Sequence, residues 1–184
     1  MSEDHLVRYC APTLAGIKTG SMFGCAYTSE SELRQTIRDL NHRLVPRGLR
    51  LLPLRFSGKK ALMYIYRPAG LRQDLSDETA ERLLKENGYC TGSCENCILQ
   101  LIRRLRQQED FPHEIGLFLG YPPEDVAGFI ENNASGCKCV GCWKVYGDEE
   151  AAQKRFAQYK KCHQVYQKCW ENGSALERLA VARS

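Results

Sequence analysis

The residues best able to do chemistry in this sequence are its ten cysteines, most of which fall in two short clusters. Cys90-Thr91-Gly92-Ser93-Cys94-Glu95-Asn96-Cys97 is a C-x3-C-x2-C array in a glycine-containing loop that enters a helix. Three thiolates this close can wrap one face of a metal centre, and a helix N-terminus lowers the cost of their negative charge. The second cluster is Cys137-Lys138-Cys139-Val140-Gly141-Cys142, followed on a long helix by Cys162, His163 and Cys169. Cys139 and Cys142 form the C-x2-C turn that makes half of a zinc or iron site, and Cys162 follows at a separation found in metal knuckles. Cys162 and Cys169 lie two helical turns apart, too far to share one ion. The expected ligands are therefore Cys139 and Cys142, completed by Cys97 or Cys162 where the fold brings them close, and the expected cofactor is zinc or an iron–sulfur cluster. The competing reading is a set of buried or partly exposed thiols that serve as small hydrophobes.

A second set of residues could serve a small-molecule enzyme. Cys97 at a helix start and His113 at a strand start suggest a thiol dyad, but a helix over Cys97–Gln108 carries the chain about 16 Å away at 1.5 Å per residue. The few residues left before His113 cannot readily span that distance. A strand over His113–Leu119 would instead return Gly120 and Tyr121 towards the first cysteine loop. A pocket is expected there, with Arg67, His113 and Tyr121 as its polar contacts; otherwise His113 caps a backbone group. The C-x3-C-x2-C spacing also resembles the cluster loop of radical S-adenosylmethionine enzymes, yet the chain past Cys97 is too short for the barrel that family needs. Gly58-Lys59 lacks the spacer and first glycine of a phosphate loop. On the long helix, Ala152, Phe156, Tyr159, His163, Tyr166 and Trp170 recur at helical spacing and are expected to be core.

These residues must be positioned by a small set of elements. A short helix is expected over residues 3–10, ahead of Pro12, and an extended stretch over Ser21–Tyr27. Ser29 opens a helix whose Leu33, Ile37, Leu40 and Leu44 share one face, ended by Pro46 to Gly48. Leu49–Phe56 and Ala61–Tyr66 read as a hairpin across Ser57-Gly58-Lys59-Lys60. Asp77–Asn87 reads as a helix capped by Ser76 and closed by Gly88. Pro122-Pro123-Glu124-Asp125 opens another, since proline tolerates the first turn and acids favour the positive end of the dipole. The second cysteine loop leads into a short strand ending near Tyr146. Asp148 caps the longest helix, which runs to about Trp170, and Leu176–Val181 is expected to be a strand. The sum is an α+β chain, one compact domain over 1–184, with a small mixed sheet and about five or six helices.

Composition supports that reading: 184 residues of which 43% are hydrophobic can fill one core. The first residues lack the basic and apolar regions of a secretory signal, and no apolar run reaches the length of a membrane span. A cytoplasmic protein with reduced thiols is expected, with no membrane as partner. The net charge of +4 is scattered over Arg47, Arg50 and Arg55, Arg103, Arg104 and Arg106, and the stretch from Lys154 to Lys168. Such scatter suits solvated faces and does not point to nucleic acid. A non-catalytic domain that binds a protein partner is the third reading, favoured if an apolar patch stays exposed.

Three segments together carry a resemblance. They are the run from Leu6 to Ser21 (LVRYCAPTLAGIKTGS), Phe111 to Asn132 (FPHEIGLFLGYPPEDVAGFIEN) and Cys139 to Cys162 (CVGCWKVYGDEEAAQKRFAQYKKC). The chain resembles, over nearly its whole length, the bacterial family called domain of unknown function 3793, found mainly in anaerobic Firmicutes. No activity is known for that family, so the resemblance implies no catalytic residue. It does imply a cytosolic protein of anaerobes, in which oxygen-sensitive thiols and iron–sulfur centres survive. Cys10, Cys139, Cys142 and Cys162 lie inside the matching segments, and the Cys90, Cys94 and Cys97 triplet lies outside them.

Overall fold

A computed structural model describes residues 1–107 and 111–182. In chain order the elements are α1 (Glu3–Leu14), β1 (Gly20–Ala26), α2 (Glu30–Leu44), β2 (Arg50–Ser57), β3 (Lys60–Tyr66), α3 (Pro68–Leu75), α4 (Glu78–Glu86) and α5 (Cys94–Gln107). Then follow α6 (Ile115–Phe118), α7 (Pro123–Glu131), β4 (Cys139–Val140), β5 (Lys144–Val145), α8 (Glu149–Glu171) and α9 (Leu176–Leu179). The expected α+β class holds. Two compact units divide the chain, a sheet unit of Met1–Ala69 with the chain from Tyr159 onward, and a helical unit of Gly70–Gln158. Among the described residues no helix is long and apolar enough to cross a membrane.

The sheet unit is built on the expected hairpin. Gly58 takes a positive φ of 56° in its turn, and β3 pairs on both sides in the order β1-β3-β2, so the sheet is antiparallel throughout and not mixed. Pro53 has no N–H to give the ladder, and the β2–β3 register slips between Pro53 and Arg55 as a bulge on an edge strand. Asn41 covers part of that edge: its side chain donates to the Leu51 carbonyl at 2.8 Å and accepts from the Leu51 N–H at 2.9 Å. Against the sheet pack Leu33, Ile37, Leu40 and Leu44 of α2, on the face the spacing predicts, and Leu6, Val7, Cys10 and Leu14 of α1. Tyr166 and Trp170 of the aromatic stripe lie against the same core, as expected.

Helix α1 continues through Pro12, beyond the end predicted for it. A proline there removes the donor for the Arg8 carbonyl four residues back. The His163 ring lies within reach of that carbonyl and offers it a polar partner from α8. Burial first, then Lys18, lowers the His163 pKa and favours the neutral imidazole that can serve this purpose.

Two predicted strands are helical. His113–Leu119 forms a turn and then α6, in which Ile115, Gly116, Leu117 and Phe118 are all buried. A continuous apolar run carries no period that separates strand from helix. Leu176–Val181 holds α9, whose Leu176 and Leu179 are both buried at a spacing of one helical turn. Helix α4 is capped by Asp77, which accepts from Thr79 N at 2.9 Å and Ala80 N at 3.1 Å, whereas Ser76 donates to the Gln73 carbonyl. The α3 helix was not predicted, and α5 begins at Cys94, a turn before Cys97. Gln108, the last residue of the helix predicted there, lies outside the described residues.

Candidate functional site

The helical unit contains a cavity of about 310 Å³ between α6, α7 and the β4–β5 hairpin. Its walls are mostly apolar: Phe111, Tyr121, Val126, Phe129, Val140 and Trp143, with His113 and Lys144 among the polar contributors. Volume and lining both suit a small-molecule site.

The wall is held by one carboxylate that the sequence reading passed over. Asp125, 2% exposed, accepts from Trp143 Nε1 at 2.7 Å through Oδ2. Its Oδ1 accepts from the backbone N–H groups of Tyr146 and Gly147, both at 2.7 Å. Three donors satisfy a buried charge and at the same time fasten the hairpin to the first turn of α7. Close backbone packing does the rest. A Cβ on Gly128 would sit 2.5 Å from Tyr146 Cβ, and one on Gly141 would sit 2.2 Å from the Phe156 ring. Glycine is what lets α7 and the hairpin turn approach these rings.

The rings themselves are fixed. Tyr121 stacks on Trp143 with centroids 5.0 Å apart, and Phe156 stands edge-on to Trp143 at 4.5 Å. Tyr121 also donates its hydroxyl to the Cys142 carbonyl at 3.2 Å. His113 is exposed and stands edge-on to Phe129 at 5.1 Å, and among the described residues its ring meets no backbone group of the kind expected. Lys144 donates to the Ala134 carbonyl at 2.6 Å and lies 5.8 Å from the centre of the Phe129 ring. Among the described residues no carboxylate pairs with that ammonium.

His113 and Tyr121, two of the three expected substrate contacts, thus line one cavity. Arg67 does not belong to it. It sits in the sheet unit, 6% exposed, donating to the carbonyls of Thr13 at 2.8 Å, Leu14 at 2.7 Å and Val181 at 2.8 Å. The last carbonyls of a helix have no partner within it, and Arg67 supplies donors at the end of α1. Its guanidinium thus serves backbone carbonyls of the sheet unit, at a distance from its own place in the chain that no local spacing marks.

The expected metal ligands lie in different surroundings. Cys97 is buried in the first turn of α5, Cys139 half-buried on β4, and Cys142 exposed in the turn after it, all in the helical unit. Cys162 is half-buried on α8 in the sheet unit. No disulfide joins any cysteine. Among the described residues no group of three or more His, Cys, Asp and Glu side chains is placed to hold a metal ion. Burial, then the Glu149 carboxylate, pushes the Cys139 thiol up, and burial pushes Cys162 up to about 11.

A family model described as protein of unknown function (DUF3793) matches residues 6–180. No curated protein and no solved structure matches the chain.

Proposed function

Since the chain belongs to the DUF3793 family of proteins of unknown function, we propose its function from its own geometry: it binds a small ligand with a flat apolar body and one anionic group in the cavity between α7 and the β4–β5 hairpin. The aromatic wall around Trp143 carries this reading. Rings held by the Asp125 hydrogen bonds and by each other form a preorganised apolar surface, so little ordering has to be provided when a ligand arrives. The charge preference follows from the lining. Asp125 already accepts three hydrogen bonds, which leaves Lys144 as the charged group at the wall able to receive a carboxylate or sulfonate. Among the described residues the lining holds no serine, threonine or cysteine side chain, so the reading is one of binding.

The test uses an aromatic sulfonate, 8-anilinonaphthalene-1-sulfonate, titrated into the full chain carrying Trp170→Phe, so that Trp143 is the sole tryptophan. Saturable one-to-one quenching of Trp143 emission is expected. Lys144→Gln should weaken it about tenfold, the size of one charged hydrogen bond in a partly exposed site. Quenching that never saturates, or that ignores both Lys144→Gln and Tyr121→Ala, would overturn the assignment. Equal affinity for a neutral anilinonaphthalene would remove the anionic requirement.

A further inference from the structure

A second cavity of the helical unit, about 280 Å³, is independent of the ligand pocket and is lined by two thiols, Cys94 and Cys97. Its other walls come from Arg72, Thr91, Ser93 and Glu95, with apolar contacts from Leu75 and Leu84. The two cysteines lie three residues apart in the first turn of α5, a spacing that puts them on one face with Cβ atoms roughly 5–6 Å apart. The loop before them is anchored to its neighbours. Cys90 N donates to Gln100 Oε1 at 2.8 Å, Thr91 Oγ1 donates to Glu81 Oε1 at 2.9 Å, and the Cys97 thiol faces the Cys90 carbonyl at 3.6 Å. These contacts hold the loop and the Cys97 thiol, while Cys94 stands half-buried at the start of the helix beside them.

We propose that this cavity binds one monovalent soft cation, Cu(I), in a two-coordinate site between the sulfurs of Cys94 and Cys97. Zinc needs four ligands in a structural site, and among the described residues no third His, Cys, Asp or Glu joins the pair in metal-binding geometry. Thiolates select soft ions, and two sulfurs on opposite sides of one ion can span a pair so spaced. Binding displaces one proton from each thiol and leaves a bis-thiolate complex with a single negative charge. Burial raises the Cys94 thiol, to about 11, so the ion has to displace its proton; the guanidinium of Arg72 and the positive end of α5 act in the opposite direction and favour the bound anion. Glu95 works against it, although its carboxylate accepts a hydrogen bond from Ser93 Oγ at 3.0 Å.

The test is an anaerobic competition titration of the reduced full chain against the Cu(I)–bicinchoninate complex, with X-ray absorption on the first equivalent. One Cu(I) per chain with two sulfurs at a single distance is expected. Cys94→Ser, at a half-buried position, should weaken that first equivalent at least about a hundredfold while circular dichroism stays native. Cys97→Ser should match it, and the double variant Cys139→Ser/Cys142→Ser should bind like the native chain. A first equivalent that survives Cys94→Ser overturns the proposal, as does one lost with Cys139 and Cys142. Three or four sulfurs in the absorption data, or loss on Cys90→Ser, would replace the two-coordinate site with another.

Discussion

Asp125 shows how much one side chain can hold when every lone pair it uses is matched. Its partners are Trp143, Tyr146 and Gly147, so a single carboxylate sets the indole orientation and the path of the hairpin after β5. Asparagine keeps the shape but turns an N–H towards the indole N–H, leaving two donors face to face in a dry place. Asp125→Asn should therefore cost about 2–3 kcal/mol in urea unfolding, the range for a charged hydrogen bond lost with a partner left unmatched. A change under about 0.5 kcal/mol would show that the carboxylate does not fasten the hairpin. In the sheet unit, His163 offers a partner to the Arg8 carbonyl, from which Pro12 removes the helical donor. Asp125 was legible in the sequence only as an acid near a helix start. Its partners lie 18 to 22 residues away, so no local pattern could mark it.

Between elements, packing and intrinsic propensity make opposite demands at Gly128. Within a helix, alanine is favoured over glycine by about 1 kcal/mol. Here its methyl would stand 2.5 Å from both Cβ and Cγ of Tyr146, atoms too near the backbone to swing aside. Overpacking of that kind costs about 1–3 kcal/mol, so Gly128→Ala should destabilise, with a lower thermal midpoint than the native chain. Gly92→Ala, which meets nothing within 4 Å, should be close to neutral and serves as the control. Stabilisation by Gly128→Ala would mean that α7 does not rest on Tyr146. Elements with a clear period were readable in advance, as α2 and the β2–β3 hairpin show. The segment 113–119 was not, because a short run that is buried all round looks alike as strand or helix.

Across the sheet unit, Arg43 ties three distant parts of the chain, donating from α2 to Glu3 at the start of α1 and to Glu177 of α9. Its guanidinium holds the Glu177 carboxyl well down, at about 2 against an ordinary 4.5. A carboxyl lowered by folding contributes stability that is present above pH 4.5 and is lost as pH falls through the interval to about 2. Native protein should thus exceed Arg43→Met in unfolding free energy at pH 6, and the gap should close as the pH is lowered towards 2. A gap that does not change with pH would exclude the Glu177 pairing as its source, and because the pair is partly exposed the gap should be small. The sequence by itself determined the α+β class, the α2 face, the hairpin and the family, because each rests on local periodicity, on turn residues or on long contiguous strings. It also marked His113 and Tyr121 as candidates. Only the tertiary structure decided that these two share a cavity with Trp143, that Arg67 serves helix carbonyls, and that Cys94 and Cys97 line a pocket of their own. Such neighbourhoods depend on which distant segments meet, and side-chain contacts between segments leave no spacing rule in the chain.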